Sequence, residues 1–151
     1  MPKSRDMDAT RRILTTSRIV AVLGAHPDTS KPAHFVPAYL HEQGFEVHPV
    51  NPTYTDERLW GRLPAGRLAD LDTPVDVVDV FRRSEHLPGH LDDVLAMDPL
   101  PKVVWFQKGI RHDEVARQLE GRGIEVVQDA CMLALHKKLG LQRGAEPDAK
   151  R

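Results

Sequence analysis

The chemistry open to this sequence rests on a glycine loop, a few basic side chains and one thiol. Gly24-Ala25-His26-Pro27 follows an apolar run, and Ser30-Lys31-Pro32 leads into what reads as a helix. A glycine there lets backbone come close to a ligand. Amides of the turn and of the first helical turn can face an anion, helped by the helix dipole. Ser30 reads as an N-cap ahead of Pro32, whose missing N–H costs nothing in a first turn. Lys31 adds a flexible cation. Gly24 stands alone where a dinucleotide loop has Gly-x-Gly-x-x-Gly, so the loop reads equally as a tight strand-to-helix turn.

Other candidates divide in the same way. Cys131 follows Asp129 at the start of a helix, where a thiolate nucleophile is favoured; it also suits the role of a small buried hydrophobe. His86 and His90 have the spacing of two metal ligands on one helix face, but Pro88 and Gly89 separate them and no third ligand is evident. Asp79 lies within an apolar run and suits hydrogen bonding better than acid catalysis, because no partner base is visible. Arg82-Arg83 reads either as an anion contact or as a solvated pair. Trp60 and Trp105 read as core or as pocket wall.

The elements that must position these groups alternate regularly. Short Val- and Ile-rich runs, apolar on both faces, predict strands over 18–24, 45–50, 75–81, 102–106 and 124–127. Helical patterns fit 32–43, 85–97, 113–120 and 130–139, the first ended by Gly44. Pro37 should kink that first helix or shift its start. Strands alternating with helices argue for an α/β fold, a doubly wound parallel five-stranded sheet with helices on both faces. Residues 53–74 are the irregular stretch. Residues 1–17 form a polar N-terminal extension with at most a short helix, 18–140 the domain, and 141–151 a flexible tail.

Composition narrows the partners. A chain of 151 residues is one domain by the usual length prior, long enough to fold without a disulfide or metal staple. The net charge of −1 gives no field to draw in nucleic acid or an acidic membrane. A single cysteine excludes an intrachain disulfide and a cysteine-based zinc site. No apolar stretch approaches 18 residues and the first segment is too polar for a secretion signal, so a cytoplasmic location is expected.

In such sheets the ligand sits beyond the carboxyl ends of the strands. Those ends read Gly24-Ala25-His26-Pro27, Asn51-Pro52, Arg82-Arg83, Gln107-Lys108-Gly109-Ile110 and Gln128-Asp129-Ala130-Cys131. NAD-binding sheets place Asp or Glu after the second strand to hold ribose hydroxyls. Here Asn51 takes that place, which favours a nucleotide with an extra phosphate, such as coenzyme A or NADP.

Taken together, "GAHPDTSKP", "VNP", "VDVFR", "WFQKGI" and "DAC" resemble the stand-alone CoA-binding protein family, which is similar to the CoA-binding domain at the amino end of the succinyl-CoA synthetase α subunit. The resemblance implies a Rossmann-like sheet of central order 3-2-1-4-5. It implies that Gly24, Ala25, His26 and Pro27 line the pyrophosphate and that Ser30, Lys31 and Pro32 continue that wall. By the same resemblance Val50, Asn51 and Pro52 border the adenosine, Phe81 and Arg82 lie over the middle of the cofactor, and Gln107, Lys108, Gly109 and Ile110 meet the pantetheine arm. His26 stands where the family often has Ser, which removes a hydroxyl contact but leaves a backbone amide. The implied function is binding of coenzyme A or an acyl-CoA without catalysis by this chain. Alternatives are an NADP-linked or Cys131-dependent enzyme, or a CoA-sensing regulatory partner or homo-oligomer.

Overall fold

The computed structural model describes residues 6–143. The first five residues and the expected tail from 144 onward lie outside the described residues. Helix α1 (Met7–Thr16) is capped by Asp6, whose carboxylate accepts from the amides of Asp8 and Ala9. Its Ile13 and Leu14 are buried in the core. Then follow β1 (Ile19–Leu23), α2 (Pro32–Glu42), β2 (Glu46–Val50), β3 (Val77–Val80), α3 (Leu91–Leu95), β4 (Val103–Phe106), α4 (Asp113–Glu120), β5 (Glu125–Val127) and α5 (Met132–Lys138).

The five strands form one parallel sheet in the order β2-β1-β3-β4-β5. Period-two alternation sends Val20 and Val22 to one face, with Leu40 of α2, Leu135 of α5 and Ile13 of α1. Ala21 and Leu23 go to the other, with Val94 of α3 and Val115 and Leu119 of α4. Helices therefore cover both faces, as the apolar strand runs predict.

The strand order corrects the implied 3-2-1-4-5. The third strand pairs with β1 instead of lying outside β2. At the outer edge of β2 the chain makes a single parallel bridge, Ala65 to Val50, with Ala65 N–H donating to Pro49 O and Asn51 N–H to Ala65 O. Pro64 and Gly66 flank that bridge and keep it from extending, since one lacks an amide and the other weakens a strand. Counted as a strand, the bridge would restore the implied order. Without it, the reversal of direction falls between β1 and β3.

Two helices also depart from expectation. Residues 84–90 form a 3₁₀ helix before the short α3, because Pro88 cannot donate to an α-helical bond. Helix α2 runs through Pro37 without a break and begins at Pro32. The carbonyl of Ala33, which Pro37 cannot serve, accepts instead from the backbone N–H of His26 at 3.3 Å.

Between α2 and α5, the hydroxyl of buried Tyr39 is hydrogen-bonded to His136 Nδ1 at 2.6 Å. Burial pushes His136 below its ordinary value of 6.5. The unfolded chain then binds the proton more readily than the native one, so stability is full above pH 6.5 and is lost as pH falls through the native value. Urea unfolding is therefore expected to show a midpoint that declines on acidification below that point, with a shallower decline in His136→Gln. An identical acid slope in the variant would remove His136 from the account.

Candidate functional site

A cleft of about 850 Å³ opens over the carboxyl ends of β2, β1, β3 and β4. Its floor is set where β1 and β3 diverge. Gly24 leaves β1 with φ +93°, and a Cβ there would stand 2.8 Å from the Phe81 carbonyl oxygen. The glycine is thus demanded by the neighbouring strand as well as by its own backbone conformation. The fold therefore requires glycine at this position whether or not a ligand approaches it.

The loop after Gly24 is tied to itself. His26 Nδ1 accepts from the Asp28 amide at 3.0 Å, which leaves the proton on Nε2, 3.2 Å from the Tyr54 hydroxyl. His34 Nδ1 lies 2.9 Å from the His26 carbonyl, so that nitrogen carries the proton and donates. The Ser30 amide and hydroxyl both donate to Asp28 Oδ1, and hold that exposed carboxyl below its ordinary value. Ser30 is therefore spent on Asp28, and the N-cap of α2 is Lys31, with no side-chain capping bond. The His26 amide, expected to remain for a phosphate, is donated to Ala33.

Asn51 joins the first two strand ends. Its Nδ2 donates to the Ala25 carbonyl at 2.8 Å, and its Oδ1 accepts from Thr53 at 2.9 Å. The side chain that replaces the usual carboxylate thus braces the loop.

Of the residues expected in the site, Gly24, His26, Lys31, Pro32, Asn51, Phe81, Arg82, Gln107, Lys108, Gly109 and Ile110 line this one cleft. Ala25 and Val50 are sealed beneath it. Pro27, Ser30 and Pro52 are not among its lining residues; Ser30 and Pro52 are exposed. The lining also takes in Ala33, Phe35, Val36, Thr53, Tyr54, Ser84 and Glu85, which sequence reasoning missed, and Arg83 and Cys131, whose roles it left open. Helical spacing from Pro32 marks Val36 as inward-facing, but gives no hint that Phe35, 44% exposed, stands at the rim. Trp105 belongs to the core, its Nε1 donating to the Ala130 carbonyl at 2.8 Å. Trp60 packs against His34 with ring centres 5.5 Å apart.

The charge pattern is one-sided. Lys31, Arg82 and Lys108 line the cleft, and among the described residues none has a carboxylate within 4 Å. Arg83 is loosely paired with Glu85 at 3.8 Å. Arg82 Nε is buried without a partner. Cys131 is half-buried, and its sulfur accepts weakly from the Ala134 amide at 3.5 Å. Among the described residues no group of three or more His, Cys, Asp or Glu side chains is placed to hold a metal ion. No helix among them is long and apolar enough to cross a membrane.

A doubly wound parallel sheet with a basic cleft over its point of reversal defines an α/β domain of the nucleotide-binding kind. The chain belongs to the CoA binding domain family, whose model matches residues 18–137. It is 36% identical over 126 residues to the Bacillus subtilis protein YneT, covering 83% of this chain and 90% of that one. A solved Thermus thermophilus structure, cell-free ID.343, is 47% identical with a TM-score of 0.84, covering 89% of this chain and 99% of that one. The dinucleotide-forming acetyl-coenzyme A synthetase 1 of Ca. Korarchaeum cryptofilum shares the fold, at 24% identity and a TM-score of 0.62, over 77% of this chain and 26% of that one.

Two outcomes follow from this geometry. Gly24→Ala must relieve both a left-handed backbone and a clash with a strand carbonyl, and is expected to cost about 3 kcal/mol in chemical denaturation. A loss below about 0.5 kcal/mol would show that the crevice yields easily. Asp79 is fully buried within β3, and burial pushes its carboxyl up to about 8. Between 3.8 and about 8 the native state keeps a proton the unfolded chain gives up, so this carboxyl erodes stability as pH rises. Asp79→Asn should therefore gain stability over the parent progressively from pH 4 to 8. A pH-independent difference in melting temperature would contradict an ionisable Asp79.

Proposed function

We propose that this chain binds coenzyme A, free or acylated, across the carboxyl ends of β2, β1, β3 and β4, and serves as a binding module without chemistry of its own. The observation that carries this reading is the set of three cations without carboxylate partners in one cleft, at the reversal point of a CoA binding domain. Cations left unpaired beside apolar walls suit a ligand with several phosphates and a long uncharged arm. Arg82 fits that ligand best. Its buried, unpartnered Nε is costly in the free protein and is satisfied once a phosphate oxygen accepts from it. Lys31 and Lys108, both exposed, would supply flexible charge on either side. Coenzyme A carries the phosphate that Asn51, in place of a carboxylate, does not repel.

The NADP alternative shares the phosphates but brings a second ring system instead of a flexible arm, so direct competition separates them. Thermal denaturation of the full chain with coenzyme A should show a rise equivalent to about 2.7 kcal/mol at a hundred times Kd, with little change in NAD or NADP. Arg82→Ala should weaken coenzyme A at least about tenfold, as expected for a charge-assisted hydrogen bond, while leaving the ligand-free melting temperature unchanged or raised. No stabilisation by millimolar coenzyme A, checked by calorimetry, would refute the proposal.

A further inference from the structure

Asp79 is the one Asp or Glu side chain buried in the core among the described residues. It stands mid-strand in β3, with the fully buried Val22 of β1 and Trp105 of β4 as register neighbours. No Lys, Arg or His forms an ion pair with it among the described residues. Its partner is Gln107, whose Nε2 donates to Asp79 Oδ1 at 2.6 Å, while Oδ2 is sealed without a partner. A carboxyl so placed is costly to bury and persists for what it holds.

What it holds is a cleft residue. Gln107 directly follows β4, is only 4% exposed, and lines the cleft. Its backbone is fixed at both groups, the N–H donating to Val80 O at 3.3 Å and the carbonyl accepting from Ile110 N–H at 2.9 Å. With Nε2 tied to Asp79, the amide's other end is Oε1, which has no partner among the described residues and is not sealed in. It opens to the cleft. Strand β4 lies one strand beyond β3, a step of about 4.8 Å from the strand that ends at Arg82. On the coenzyme A reading above, the phosphates lie over the β1–β3 crevice and the uncharged arm runs over Gln107, beside Gly109 and Ile110.

We propose that Asp79 is a positioning residue: by holding the amide nitrogen of Gln107, it presents Gln107 Oε1 as an acceptor for an N–H or S–H group on the uncharged arm of the ligand. The inference rests on the coenzyme A reading above, since that arm carries amide N–H groups and a thiol. A neutral Asp79 serves this purpose without adding negative charge beside the phosphates.

Isothermal titration of the full chain with coenzyme A and with adenosine 3′,5′-bisphosphate, which lacks the arm, tests it. Asp79→Leu should weaken coenzyme A about tenfold, the worth of one well-placed hydrogen bond, and leave the bisphosphate unchanged. Asp79→Asn keeps an acceptor for Gln107 and should restore coenzyme A affinity. In the ligand-free parent and in Asp79→Asn, the Gln107 side-chain NH₂ signals should be protected from solvent exchange, and in Asp79→Leu that protection should vanish. Should Asp79→Leu fail to fold, Gln107→Leu must show the same selective loss. Equal loss for both ligands, no loss with Leu, or no rescue by Asn would overturn the proposal. A parent chain that binds neither compound would instead overturn the coenzyme A reading and this inference with it.

Discussion

The contact on which the rest of the molecule depends is the passage of Gly24 against the backbone of Phe81. With φ at +93° and room for no side chain, residue 24 lets β1 and β3 stay paired to their ends and then part sharply. That parting is the cleft. The first loop leaves over α2, the third strand leaves through Arg82, and the space between them is where opposite connections of a parallel sheet always leave a gap.

The wall built on this crevice is stiff because it satisfies itself. Asp28 gathers the Ser30 donors, His26 gathers Asp28 and Tyr54, and His34 fastens the His26 carbonyl. Pro37 contributes from inside α2, since the carbonyl it cannot serve takes the His26 amide. A loop that consumes its own donors has fewer amides to offer an anion. On the proposed reading, the attraction for phosphate falls mainly to side chains, Lys31, Arg82 and Lys108, which have no carboxylate within 4 Å among the described residues. The specificity proposed above follows a different line, through buried Asp79 to Gln107 just beyond β4.

Much of this was legible from residue order. The five strands and the helix over Asp113–Glu120 appear where apolar runs and caps put them, because a strand covered on both faces must be apolar throughout. Arg82 and Gln107 are placed at the cleft by the rule that ligands gather at carboxyl strand ends, and Lys31 by its position at the entrance to the first helix. The strand order was not legible, since one bridge at Ala65 stands in for a whole strand and carries no sequence pattern. Ser30 was misassigned as a cap because an Asp two residues earlier competes for the same hydroxyl, a contest decided by loop geometry. Phe35 and Tyr54 reach the cleft from a helix rim and a 3₁₀ turn, positions that periodicity does not mark.

By itself, then, the order of residues determined the class of fold, the end of the sheet where the cleft opens, and the positive charge brought there, because hydrophobic period and strand-end chemistry are local properties. Tertiary structure decided which strand neighbours β1, why residue 24 must be glycine, and which polar groups are already spent. Those outcomes depend on distances between segments far apart in the chain. Gly24 meets Phe81, and Asp79 meets Gln107, only after the sheet has formed.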